Sequence, residues 1–316
     1  MHFFARLGGL CAILLTSLAL SLPAQDNLHS TRMEVIHDKP YVMVMVNGKG
    51  PFRFVVDTGT GGQAFITPEL ADELGLPPAG VARLTDPSGM GEQHVPVVLI
   101  QSLEVAGVEF SGIKAIRHLL PAGEGPCQGL LGFTLFRDYL LTLDYPARRL
   151  MLATGFLAPD AEDSVLPFRM PEGVPIATLR IGVLRIEAQL DSGGSGLSLP
   201  ERLVPLLEFS SDPVAFGNGQ SLSTRYRIKA AKLASDVHLG RYSFAQPFVE
   251  INPAFPLANF GSCPMQNFAL TFDQKNLLVR IDGSSKVLHL GTTPVDVRLE
   301  NAPMQSPASA GLVPVG

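Results

Sequence analysis

Tryptophan is missing from the 316 residues, and cysteine occurs only at Cys11, Cys127 and Cys263. Three cysteines in a chain of this length exclude a small disulfide-stapled scaffold. Charge is scarce too, with 17% of residues charged against 46% hydrophobic, a balance that excludes disorder for the bulk of the chain. Nor is there a basic excess: 24 Lys and Arg face 29 Asp and Glu, for a formal net charge of −5. Without a basic cluster to meet phosphate charge, no nucleic-acid partner is expected. The histidines beyond the first residues, at 29, 37, 94, 118, 238 and 289, are scattered without the spacing of a ligand set, so neither a metal nor another cofactor is expected.

Long apolar runs are equally rare. The one that stands out, Leu7 to Leu22, follows His2 and Arg6 and precedes Pro23-Ala24-Gln25-Asp26. At 16 residues it falls short of the roughly 18 that a spanning helix needs, and its flanks are those of a secretory signal. Residues 1–24 are therefore read as a cleaved signal peptide, which makes the protein exported, periplasmic or extracellular, with no stable membrane span after cleavage. Cys127 and Cys263 then remain, and their spacing does not decide whether they pair. Beyond about Gly291 the composition turns to Pro, Ser, Ala and Gly, and residues 301–316 are expected to be disordered.

What the sequence has in quantity is punctuation: 31 Gly and 26 Pro suit many short strands and turns rather than long helices. The strands repeat. Pro40 to Val46 alternates, turns at Asn47-Gly48-Lys49-Gly50 and returns through Phe52 to Val56, ending in Asp57-Thr58-Gly59. A second copy runs from Pro175 to Ile181, turns near Gly182 and climbs through Leu190 to Asp191-Ser192-Gly193. Each copy continues into a Pro-Glu helix start, Thr67-Pro68-Glu69-Leu70 and Leu199-Pro200-Glu201-Arg202. Further on, Leu130-Leu131-Gly132 matches Asn259-Phe260-Gly261, Tyr139 matches Phe268, Thr142 matches Thr271 and Asp144 matches Asp273. The chain thus reads as a tandem of two similar lobes, 32–157 and 165–290, separated by the loop-rich stretch 156–164.

One Asp-Ser/Thr-Gly triplet would be an ordinary turn. Two of them, each ending an apolar strand and each answered some 70 residues later by an apolar-Gly element, need a chemical reason. Two carboxylates a few ångströms apart do not both ionise comfortably, so they share a proton and offer a base and an acid at once. The ionised member takes a proton from a water attacking an amide carbonyl, the protonated member donates to the carbonyl oxygen, and no covalent intermediate is needed. Gly59 and Gly193 allow the close backbone approach such a pair requires, and the hydroxyls of Thr58 and Ser192 are placed to bond across a pseudo-twofold axis.

On these residues, the chain resembles the pepsin/retropepsin-type aspartic proteases, as a short bacterial-style bilobal member, over roughly residues 32 to 290. The resemblance implies a mainly β fold of two homologous β-barrel lobes with an active-site cleft between them. It also implies an exported endopeptidase acting on a peptide or protein substrate. In its terms Asp57 and Asp191 form the catalytic dyad, Thr58, Gly59, Ser192 and Gly193 support it, and Ser88-Gly89-Met90-Gly91 is the first-lobe flap. Two departures accompany the match: the flap segment carries no Tyr, and Asn259 stands where an apolar residue should precede Phe260-Gly261.

Other readings of the same residues are weaker. Gly59 to Ala64 imitates a dinucleotide-binding loop, but the helix starts only at Thr67-Pro68. Gly193-Gly194-Ser195-Gly196-Leu197 lacks the closing glycine of a nucleophile elbow. The alternative that keeps the fold is a module binding peptides or proteins without cleaving them. With one triplet in each half, the protein is expected to be a competent monomer, its carboxylates about 3 to 5 Å apart at the floor of the largest cleft.

Overall fold

The computed structural model describes residues 28–85, 92–120, 127–220 and 225–290. The proposed leader, the tail at 301–316 and the flap residues Ser88, Gly89, Met90 and Gly91 lie outside the described residues. Within them the chain is mainly β, with its strands in three sheets.

The first sheet is built from residues of the first half. The strand Lys39–Val46 buries alternate side chains and pairs with Lys49–Asp57. Its turn is Asn47-Gly48, with φ of 50° and 72°, and both residues therefore take the left-handed conformation that a tight two-residue hairpin needs. Lys49 and Gly50, expected in the turn, already belong to the returning strand. Across the sheet the order continues through Gly129–Gly132, Ala64–Ile66, Val108–Arg117, Glu92–Val105 and Pro78–Thr85. A further pairing of Lys39–Val46 with Glu92–Val105 curls the sheet back upon itself.

Ten strands form the second sheet, and the same sub-pattern lies at its centre. Leu184–Asp191 runs parallel to Ala258–Gly261, which is antiparallel to Leu197–Pro200. In the first sheet Lys49–Asp57 runs parallel to Gly129–Gly132, which is antiparallel to Ala64–Ile66. In both, the aspartate is registered opposite the glycine of the apolar-Gly element, Asp57 with Gly132 and Asp191 with Gly261.

The third sheet takes strands from both halves. Its centre pairs Leu140–Asp144 with Phe268–Asp273 antiparallel, so that Thr142 faces Thr271 and their hydroxyls meet at 2.9 Å. These two residues match in the sequence repeat, which places the pseudo-twofold axis between them. Buried aromatic and aliphatic side chains from both halves continue as one core through this sheet, including Phe133, Phe136, Phe268 and Phe272.

The two expected helix starts differ. Thr67 caps the α-helix Pro68–Glu73, its hydroxyl accepting from Leu70 N at 3.3 Å. The second copy forms a 3₁₀ segment, Glu201–Leu206, with no side-chain cap. Leu199 has no hydroxyl where Thr67 has one, and Pro205 inside the segment has no N–H to continue an α-helix.

Candidate active site

Each aspartate ends a strand and enters a tight turn closed by its own carboxylate. Asp57 Oδ1 accepts from Gly59 N at 2.8 Å, and Asp191 Oδ1 accepts from Gly193 N and Gly194 N, both at 2.9 Å. The two turns meet at the pseudo-axis. A methyl group built on Gly59 would stand 2.3 Å from Asp191 Oδ1, and one on Gly193 would stand 2.4 Å from Asp57 Cγ. The carboxylates of Asp57 and Asp191 therefore face one another across this pair of glycines, with no room for a side chain at either.

Beneath them Thr58 and Ser192 form a reciprocal network. Thr58 N donates to Ser192 Oγ at 3.0 Å and Ser192 N to Thr58 Oγ1 at 2.9 Å. Thr58 Oγ1 donates to Leu190 O and Ser192 Oγ to Val56 O, both at 2.7 Å. Both side chains are fully buried. Four hydrogen bonds thus tie each turn to the strand that carries the other, and they leave neither hydroxyl with unmet donor capacity.

Symmetry extends to the backbone behind the aspartates. Gly132 N donates to Gln63 O and Gly261 N to Gly196 O, both at 2.9 Å, fastening each apolar-Gly strand to the loop that follows its aspartate.

The outer carboxylate oxygens break the symmetry. Asp57 Oδ2 accepts from the Thr60 hydroxyl at 2.9 Å. The matching residue of the second lobe is Gly194, which offers no side chain. Its role is taken by Asn259, whose Nδ2 donates to Asp191 Oδ2 at 2.7 Å. A methyl group on Gly194 would come within 2.5 Å of that nitrogen, so the space Gly194 leaves is the space the amide uses. Asn259, a departure from the expected apolar residue, is in this way part of the site. Its signal lay in the sequence as a paired change, a hydroxyl lost at one position and an amide gained at another. Only the sheet register shows that the two positions meet. Gln189 adds a cross-lobe contact, its Nε2 donating to Gly59 O at 2.9 Å.

Tyr145, which belongs to no motif in the sequence, is buried below the site. Its phenol oxygen accepts from Ser262 Oγ at 2.9 Å and donates weakly to Met265 Sδ at 3.9 Å. Burial, first of all, together with the negative charge of Asp191 and Asp57, pushes the phenol far above its ordinary value. Cys127 and Cys263 form no disulfide; the Cys127 thiol donates to Gly129 O, and burial raises the Cys263 thiol.

Among the described residues a depression is lined by Gly61, Gln63, Thr134, Arg137, Met170, Glu172 and Gly173. It arises where the turn at Glu172 folds against the first-lobe loop, so closely that a methyl group on Gly61 would meet Glu172 O at 1.9 Å. Among the described residues no group of three or more His, Cys, Asp or Glu side chains is arranged to hold a metal ion.

Residues 42–135 match the family model described as aspartyl protease. That span holds Asp57-Thr58-Gly59 and Gly132, while Asp191-Ser192-Gly193 falls outside it. No curated protein matches the chain. Among solved structures, the chain is similar to a retropepsin-like aspartic protease from Rickettsia conorii, at 24% identity over 41% of this chain and 93% of that one, with a TM-score of 0.31. Over residues 42–135, the part of the first half that carries Asp57-Thr58-Gly59, the chain is thus similar to the aspartyl protease family.

Proposed function

We propose that this protein is an exported aspartic endopeptidase whose catalytic dyad is Asp57 and Asp191. The observation that carries the reading is the mutual packing of the two triplets, each glycine lying against the other triplet's carboxylate over the Thr58–Ser192 network. A water held between two such carboxylates meets one proton acceptor and one proton donor. The ionised carboxylate removes a proton from the water as its oxygen attacks the peptide carbonyl carbon. The protonated carboxylate gives its proton to the carbonyl oxygen, and a tetrahedral diol forms. Collapse of the diol breaks the C–N bond, with a proton delivered to the departing nitrogen. The fixed N–H donors of Gly59, Gly193 and Gly194, with Thr60 and Asn259, hold the carboxylates in place, so little reorganisation accompanies each transfer. The polypeptide runs from one lobe, 32–157, to the other, 165–290, and each contributes one carboxylate. Export is supported by the charged start and apolar run at residues 2–22.

The test is digestion of a peptide library by the wild type and by Asp57→Asn and Asp191→Asn. Either substitution removes the ionisable half of the pair while keeping its shape. Cleavage is expected to fall by at least about a thousandfold in each, with circular dichroism unchanged. Near-normal turnover in either variant would remove the dyad mechanism. Peptide binding by a folded wild type that cleaves nothing would instead identify a non-catalytic module on the same fold.

A further inference from the structure

The cross-strand register lays a row of four residues over one face of each lobe's central sheet. In the first lobe the row is Val55, Leu130, Phe65 and Ile116, all apolar. The matching row of the second lobe is Gln189, Asn259, Ser198 and Glu250, all polar. Gln189 and Asn259 lie on the dyad side of their strands, since Gln189 bonds Gly59 of the other lobe and Asn259 bonds Asp191. Ser198 and Glu250 share that face, because their neighbours Leu197, Leu199 and Val249 all turn into the core on the other.

Glu250 ends this row two strand spacings from Asn259, roughly 10 Å. Its carboxylate occupies the space above Gly196, where a methyl group would stand 2.6 Å from Oε1, on the loop that returns from Asp191. The side chain is half-buried and no described residue gives it a hydrogen bond or an ion pair. The nearest lysine along the adjacent strand, Lys229, is held by Glu201 at 3.0 Å. Loss of solvent lifts the Glu250 carboxyl above its ordinary value. Among the described residues no counter-charge faces this carboxylate, an arrangement that suits a ligand bringing its own.

We propose that Glu250 is the specificity-determining residue on the second-lobe side of the cleft, where it receives a lysine or arginine side chain of the bound peptide. In the first-lobe row, by contrast, Val55 and Leu130 are buried and the half-buried Phe65 and Ile116 offer an apolar edge. The enzyme then selects a peptide with a cationic side chain on one side of the scissile bond and an apolar one on the other. This inference rests on the peptidase reading.

The experiment uses the full chain and a peptide series in which single positions flanking the cleaved bond carry Lys, Arg, norleucine, Gln or Glu. At one position the wild type should cleave the Lys or Arg peptide at least about tenfold better than the norleucine peptide in kcat/KM. Glu250→Gln should reduce that ratio about tenfold, chiefly through KM, and Glu250→Lys should shift the preference towards the Glu peptide. The inference is overturned if both variants melt like the wild type and the ratio does not move, or if no position favours a cation. Should the wild type cleave no peptide at all, the peptidase reading fails separately, and calorimetric titration of the same peptides decides the pocket. Cation-dependent affinity lost in Glu250→Gln supports it, and equal affinities reject it.

Discussion

Asn259 carries the clearest argument at the scale of single residues. It supplies to Asp191 the hydrogen bond that Thr60 supplies to Asp57, from a different strand and with a different group. Asn259→Leu restores the apolar residue of the first lobe but removes this donor from a carboxylate, a loss of about 1.5–3 kcal/mol if the interaction matters in the transition state. A fall in kcat of about tenfold or more is therefore expected, with the fold retained. Unchanged kcat would show that the outer oxygen of Asp191 needs no donor. Tyr145 makes a prediction in pH. Its phenol titrates higher folded than unfolded, so the folded state holds the proton more tightly and the associated stability is complete below the ordinary value of 10.0. That stability is lost as pH rises above 10, by up to about 1.4 kcal/mol per unit. Urea titrations between pH 9 and 11 should show a shallower alkaline loss for Tyr145→Phe than for the wild type. Parallel losses in the two proteins would contradict the assignment.

Among the elements, the two aspartate turns are one unit rather than two. Each hydroxyl accepts from the partner's N–H and donates to the partner's strand, so removing either leaves buried groups of the other turn unmet. Thr58→Ala and Ser192→Ala should each cost about 1–3 kcal/mol of stability. The double variant should cost clearly less than the two effects added, because the second change removes partners already orphaned by the first. Additive costs in denaturant unfolding would mean that the turns are held independently. Elsewhere, local sequence decided how far repetition carries. The hairpin at Asn47-Gly48 follows from residues that tolerate positive φ, whereas the Pro-Glu starts gave an α-helix only where Thr67 could cap it.

At the scale of the whole molecule, one chain supplies both carboxylates, and the shared sheet through Thr142 and Thr271 joins the halves by backbone hydrogen bonds and a common core. On the proposed reading, a second copy is not needed to complete the site. Sedimentation should give a monomer at concentrations where the protein is active, and specific activity should be constant across about a hundredfold dilution. Activity that falls on dilution, together with dissociation of a dimer, would show that the site is completed between chains.

The tandem repeat, the two Asp-hydroxyl-Gly triplets and the mainly β character are legible in the amino-acid order alone, because alternation, turn residues and repeat spacing are local or periodic properties of the chain. That order also exposed Asn259 as a place where the halves differ, though not its counterpart Gly194. What those differences do follows from the folded arrangement of the strands. Cross-strand register brings residues 68 positions apart, Asn259 and Asp191, into contact, and no periodicity encodes which strand lies beside which. The same holds for Tyr145, whose burial near Asp57 and Asp191 depends on the sheet shared by both halves, and for Glu250, whose place in the polar row depends on three strand pairings that meet only when the lobe has folded.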